Sequence, residues 1–339
     1  MGIFDGKKDR KITLTLCFLA VGLITLVLLS MTVGRYPMGL KDLLCYIFFG
    51  EYTDENIPVL VGQVRLPRIL GTTLVGGTLG VSGAAYQGLF RNPMVSPDIL
   101  GVSAGAGFGA AAAIVCSAGV AGVQASAFAM GLGAVGLSIC VSRVMGRHDR
   151  VLMLVLSGMV VASLFSALLS LMKFVADSES KLPDITFWLM GSLAAVTMEE
   201  LQIVAPLVLI GIVPLCLASW RLNVLSFGEE EAQTLGVHTG RLRILIVVCA
   251  SLLTASVVSI TGLIGWIGLI IPHIARFMVG PDHRVLLPAA FLTGGSFMLV
   301  VDDLARSVTS LEIPLGILTA MVGAPVFLVI LKVRNHKAW

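Results

Sequence analysis

The sequence predicts an all-α polytopic membrane protein with ten transmembrane helices, and three observations carry that prediction. Of 339 residues, 57% are hydrophobic and 13% charged, with a mean hydropathy of +0.97, a balance no water-soluble core requires. The charged residues crowd into the gaps between ten apolar stretches. The first stretch, Ile12–Val33, runs 22 residues without a Lys, Arg, His, Asp or Glu. At about 1.5 Å per residue that is enough to cross a hydrocarbon core of roughly 30 Å.

Lys7, Lys8, Arg10 and Lys11 precede this first run, which is longer than the apolar part of a secretory leader. No small-residue cleavage site follows Val33, so the run is expected to be retained as a span. The later spans are expected at Ile69–Phe90, Ile99–Cys116, Ala118–Val141, Val151–Met172, Leu201–Ser219, Ile244–Thr261, Ile264–Val279, Val285–Leu304 and Ile313–Leu331. Gly76 and Gly80 in the second, and Gly101, Gly105 and Gly109 in the third, stand four apart. At that spacing small residues let another helix approach closely, which argues for tight packing rather than substrate contact. Pro93 and Pro97 keep the turn between these spans out of regular helix, which is tolerable where the backbone meets water.

With the N-terminus in the cytoplasm, sixteen of the 23 Lys and Arg fall on that side; the other seven are Arg35, Lys41, Arg65, Arg68, Lys173, Lys181 and Arg306. The positive-inside rule therefore places both termini in the cytoplasm. The chain reads as one transmembrane domain, 1–339, with a cytoplasmic start at 1–11 and tail at 332–339. The net charge of +3 mostly reports this sidedness, and nothing resembles a nucleic-acid surface. The outer segment Gly34–Gln63 carries acidic Glu51, Asp54 and Glu55 without a recognisable role.

The six cysteines, Cys17, Cys45, Cys116, Cys140, Cys216 and Cys249, are scattered without a CxxC pair, so they read as small buried hydrophobes rather than disulfides or metal ligands. The span interiors hold almost no carboxylate, histidine or lysine, the groups that proton-coupled carriers need at mid-membrane. His273, beside Pro272, is the main exception and reads as a packing or capping group. An ion-driven secondary transporter is thus disfavoured. The chain also lacks a phosphate-binding loop; Gly2-Ile-Phe-Asp-Gly6-Lys7 has the wrong spacing and no following Ser or Thr. Energy from ATP has to enter through another polypeptide.

One cytoplasmic segment suits such a partner. Between Asn223 and Gly240, a helix is expected over about 226–237, with Ser226 as N-cap, Glu229–Glu231 at the positive end of its dipole and Gly236 as its stop. Ala232, Leu235 and Val237 would form a small apolar face, fit for a groove on a soluble partner. A solvated connecting helix explains the same pattern.

Several ordered motifs then resemble one family. Arg65-Leu-Pro-Arg68, Ser82-Gly83 with Gln87, and Arg91-Asn-Pro-Met94 with Pro97 and Leu100-Gly101 are similar to the first half of the FecCD-type permeases for ferric siderophores, haem and cobalamin. Phe187-Trp-Leu-Met-Gly-Ser192, the Gly228–Gly236 segment, Gly262–Arg276, Gly280-Pro-Asp-His-Arg284, Asp302-Asp-Leu-Ala-Arg306, Glu312–Gly316 and Gly323–Phe327 resemble the second half. The resemblance implies the type II ATP-binding-cassette (ABC) importer permease fold. Its expected partners are a second copy of the chain, two cytoplasmic ABC ATPase subunits, an extracytoplasmic substrate-binding protein and membrane lipid. It implies a non-catalytic transport subunit in a prokaryotic cell membrane, importing a metal chelate by alternating access. A ferric siderophore is the expected cargo, with haem or cobalamin as alternatives. No cofactor is expected on this chain, ATP and Mg belonging to the ATPase.

Family resemblance also assigns roles. Arg65, Arg68 and Arg306 would dock carboxylates of the binding protein; interfacial anchoring competes for the first two, and a local pair with Asp302 or Asp303 for the third. Gly228, Glu229, Glu230, Ala232, Leu235 and Gly236 would form the ATPase-coupling helix. Asn92 and Met94 would form the cytoplasmic gate, or a simple connecting turn. Ser163, Ser166 and Ser170 of the fifth span would line the translocation path, unless they bond to their own backbone.

Overall fold

The computed structural model describes residues 6–34, 36, 38–50, 52, 54–145, 150–309 and 311–336. The expectations for Arg35 and for the outermost residues of both termini lie outside them. In chain order the helices are α1 (Gly6–Thr32), α2 (Leu40–Phe49), α3 (Ile57–Val59), α4 (Leu66–Phe90), α5 (Val102–Val115), α6 (Gly119–Val144), α7 (Arg150–Val175) and α8 (Lys181–Met190). They continue with α9 (Met198–Leu217), α10 (Ser219–Leu225), α11 (Glu229–Thr234), α12 (Thr239–Thr261), α13 (Ile267–Val279), α14 (His283–Ser307) and α15 (Leu315–His336). The described residues contain no strand.

Among the described residues, seven helices, α1, α4 with its N-terminal extension, α6, α7, α9, α12 and α14, are long and apolar enough to cross a bilayer. Three shorter apolar ones, α5, α13 and the apolar part of α15, occupy the other expected positions. Ten crossings return the chain to the side where it began. We call this the terminal side; α10 and α11 lie there, and α2, α3 and α8 lie opposite.

Tertiary structure changes several expected boundaries. The second span does not start at Ile69: helix runs from Ile57 through a π-helical turn, Leu60–Arg65, into α4. Arg65 and Arg68 interrupt the apolar pattern, but their charges are satisfied inside the fold. The third span begins only at Val102, after a 3₁₀ turn at Pro97–Leu100, and the eighth at Ile267. Irregular backbone is tolerated there because protein, not lipid, surrounds it.

α4 is the central helix, packed on α14, α12 and α13. Its sequence explains this position. Gly76 meets Gly294 of α14 so closely that a Cβ on either residue would overlap the carbonyl oxygen of the other. Backbones this close gain dispersion contact that lipid chains cannot supply. Two polar groups of α4 bond across to α12: the Ser82 hydroxyl lies 2.9 Å from both the Ala250 carbonyl and Thr254 Oγ1, and the Tyr86 hydroxyl 2.6 Å from Ser251 Oγ.

The cysteine expectation needs correction: all six thiols are free, but only Cys249 is buried in protein. Cys45 is half-buried, and Cys17, Cys116, Cys140 and Cys216 are exposed on the single subunit. His273 Nδ1 lies 2.8 Å from the Leu269 carbonyl, and its ring packs edge-on to Phe327, the arrangement of a packing group.

Candidate coupling, gate and docking sites

On the terminal side, α10 leads into the segment expected to engage an ATPase. Ser226 does not cap α11. Its hydroxyl donates to the Asn223 carbonyl (2.6 Å) and closes α10, while Gly228, at φ 141°, stands as N-cap of α11. That backbone conformation is closed to side chains, so helix resumes only at Glu229 and runs six residues, Glu229–Thr234, rather than 226–237. Gly236, at φ 81°, ends it: the Gly236 N–H donates to the Gln233 carbonyl and the Val237 N–H to that of Ala232.

The expected apolar face divides. Ala232 and Val237 are buried against the subunit, whereas Leu235 is 61% exposed. Phe227, in the turn that precedes α11, is 75% exposed, an outward apolar side chain that helical periodicity could not find. Glu229 accepts from Arg243 Nη2 (2.8 and 2.9 Å) and Thr239 Oγ1 (3.0 Å), tying α11 to α12. Glu230 and Glu231 remain exposed.

The turn after α4 is also on the terminal side. Arg91 takes a left-handed conformation (φ 48°) at the end of α4, and Asn92 Oδ1 accepts the Met94 N–H at 2.9 Å. Asn92 and Met94 are exposed, while Val95 is buried. Gln87 Nε2 donates to the Val95 carbonyl (3.4 Å) and the Leu269 carbonyl (3.2 Å), pinning the turn to α4 and α13. On α7, Ser163, Ser166 and Ser170 lie on a face exposed in the single subunit. Ser163 and Ser170 nevertheless donate to the carbonyls of Met159 (2.9 Å) and Ser166 (3.0 Å), the backbone alternative.

Opposite the termini, the three arginines assemble near one another but not at the surface. Arg65 is 2% exposed and donates to the carbonyls of Met31 and Tyr36. Arg68 is forked between two carboxylates, Asp302 (2.8 Å) and Glu312 (3.0 Å), and Asp302 is wholly buried. Arg306 pairs with Asp303 and donates to the Ser30 hydroxyl (2.5 Å) and carbonyl (2.8 Å). The local pair weighed for Arg306 is therefore the one observed. In this conformation the three guanidinium groups tie α1, α4, α14 and the segment before α15 together rather than pointing outward. Sequence alone could not show that carboxylates more than 230 positions away would meet Arg68. In the outer segment, the Tyr36 hydroxyl donates to Asp54 and holds that carboxyl below the usual carboxylate range.

A model described as the FecCD transport family matches residues 22–333. The molybdate import system permease protein MolB of Haemophilus influenzae is 43% identical over 309 residues, covering 90% of this chain and 91% of that protein. The Fe(3+)-citrate import system permease protein YfmE of Bacillus subtilis is 36% identical, with 98% of both chains covered. A solved structure described as an inward-facing metal-chelate type ABC transporter superposes with a TM-score of 0.86 at 41% identity, covering 94% of this chain and 98% of that one.

Proposed function

This chain belongs to the FecCD transport family, and from that premise we propose that it is the membrane subunit of an ATP-driven importer of a metal chelate. It works as a homodimer with two cytoplasmic ABC ATPases and an extracytoplasmic binding protein, both termini in the cytoplasm. ATP is bound and hydrolysed on the ATPases. The observation that carries the coupling reading is the segment from Phe227 to Leu235: two exposed apolar side chains on the terminal side, one flanking each end of a short helix anchored by Glu229 to Arg243. An apolar tip on a braced support suits a cleft on a moving partner.

The cycle follows from these parts. The loaded binding protein docks outside, closure of the ATPase dimer displaces the Phe227–Leu235 tip, and the turn at Asn92–Met94 opens or shuts the cytoplasmic end. The exposed α7 face, with Ser163, Ser166 and Ser170, supplies part of the path wall. Between Val151 and Met172, α7 carries no ionisable side chain. A passage of small hydroxyls and apolar groups suits a bulky chelate that must be released, and it is costly for a bare dianion. A ferric siderophore is the proposed cargo, with haem or cobalamin as alternatives of the same kind. Similarity to the molybdate permease MolB supports molybdate as a second reading.

Two measurements test this. Tagged wild-type chain purified from its native membrane in mild detergent is expected to bring a P-loop ATPase with it, and Leu235→Asp to lose that ATPase while eluting as a folded species. Retention by Leu235→Asp would move the contact elsewhere; repeated recovery of the wild type without any ATPase would return the ion-driven carrier. For cargo, cells lacking the chain are expected to lose uptake of radioiron as ferric siderophore while keeping molybdate uptake. The reverse pattern would select molybdate.

A further inference from the structure

Asn223 sits in the last turn of α10, just before the coupling segment, and its amide is held at both ends by the α13–α14 junction. Nδ2 donates to Asp282 Oδ1 (2.5 Å), while Oδ1 accepts from the His283 backbone N–H (2.8 Å) and from His283 Nδ1 (2.8 Å). A carboxylate only accepts, so Asp282 sets which way the amide points, and Oδ1 must then take the Nδ1 proton of the imidazole. Asp282 also caps α14 by accepting the Arg284 N–H at 2.9 Å. The His283 ring, 6% exposed, rests with its other edge on Gly88 of α4, where a Cβ would overlap Nε2.

Gly88 lies at the end of α4 that enters the gate turn. Its carbonyl accepts the Arg91 N–H (3.4 Å), and the Gln87 carbonyl accepts the Asn92 N–H (3.2 Å). Contacts therefore run without a gap from one functional element to the other. Ser226 bonds to Asn223, Asn223 to Asp282 and His283, His283 packs on Gly88, and Gly88 bonds into the turn. Asn is a short side chain with three bonds on one amide, which leaves it little rotational slack. The Gly88 contact has no spare volume to absorb a shift, so a displaced ring must move the helix end.

We propose that Asn223 and His283 form a positioning pair that transmits displacement of the coupling segment to the end of α4, and through it to the gate turn at Asn92–Met94. This rests on the reading of Gly228–Gly236 as the ATPase-coupling element. It assigns the pair no contact with substrate or nucleotide.

The test uses the complete complex as it purifies from native membrane, returned to vesicles, with Met94→Cys as a reporter labelled by a membrane-impermeant maleimide. Labelling of the native cysteines is subtracted using the parent that keeps Met94. Rates are compared without nucleotide and with ATP plus vanadate. In the reporter alone, nucleotide is expected to change the rate at position 94. In Asn223→Ala, ATPase co-purification and ATP hydrolysis are expected to persist while that change shrinks roughly fivefold or more, as loss of a coupling between sites requires. A tertiary staple with no relay role would lower thermal stability yet leave the response of the folded fraction intact, and that result would overturn the proposal. If Asn223→Ala does not elute as a monodisperse complex, His283→Gln interrogates the same link from the other side, with the same outcomes. If the reporter alone lacks an ATPase or ignores nucleotide, the coupling reading itself falls, and the relay falls with it.

Discussion

Arg68→Ala is expected to lower the stability of the purified subunit by about 3–5 kcal/mol, the cost of leaving one partner of a buried ion pair uncompensated. Arg68 is 7% exposed and Asp302 wholly buried, so the Asp302 carboxylate cannot recover the lost guanidinium with water. Arg306 Nε, 3.7 Å from Asp302, is already committed to Asp303 and Ser30. Glu312 is the internal control. Its side chain is 31% exposed, so Glu312→Ala should cost well under half as much, solvent replacing what the pair contributed. The double change Arg68→Leu with Asp302→Leu, which removes both charges, should be milder than Arg68→Ala alone. Denaturant titration in detergent, read by far-ultraviolet circular dichroism, checks all three. Equal losses for Arg68→Ala and Glu312→Ala would show that Asp302 finds another partner.

Gly76→Leu is expected to cost about 3 kcal/mol, or to prevent assembly outright, because it forces a branched side chain into a backbone contact. A single Cβ at Gly76 already overlaps the Gly294 carbonyl and crowds Met298 Cβ, and neither α4 nor α14 can retreat without losing its other neighbours. Gly22→Leu on α1 is the matched comparison. Nothing lies within 4 Å of a Cβ there, so the same chemical change should alter stability by less than about 0.5 kcal/mol. Size-exclusion recovery after graded heating separates the two. Similar recoveries would mean that the α4–α14 seam opens easily.

These two sites show how differently the chain reveals its parts. The four-residue glycine spacing marked α4 as a packing helix without naming its partner. The arginines were visible as charges beside a span, but whether they faced a protein, a headgroup or a carboxylate in the same chain was not. Ser226 illustrates the same limit at short range. Its residue type suits an N-cap, yet the carbonyl of Asn223 captures the hydroxyl and the conformation of Gly228 delays the helix. Phe227 escapes helical periodicity because a turn residue belongs to no periodic face, and Asn223 gives no local signal because its partners lie some sixty positions away.

Sequence alone determined the solvent, the number of crossings and the family, and it predicts which side carries the termini. Each of these is written in local quantities: run length, charge density, loop charge asymmetry and ordered motifs. Tertiary structure decided where the three arginines spend their charge, which face of α11 turns outward, and how the coupling segment meets the end of α4. Those outcomes depend on which distant groups compete for the same hydrogen bonds and the same volume. Only the folded bundle brings the competitors together.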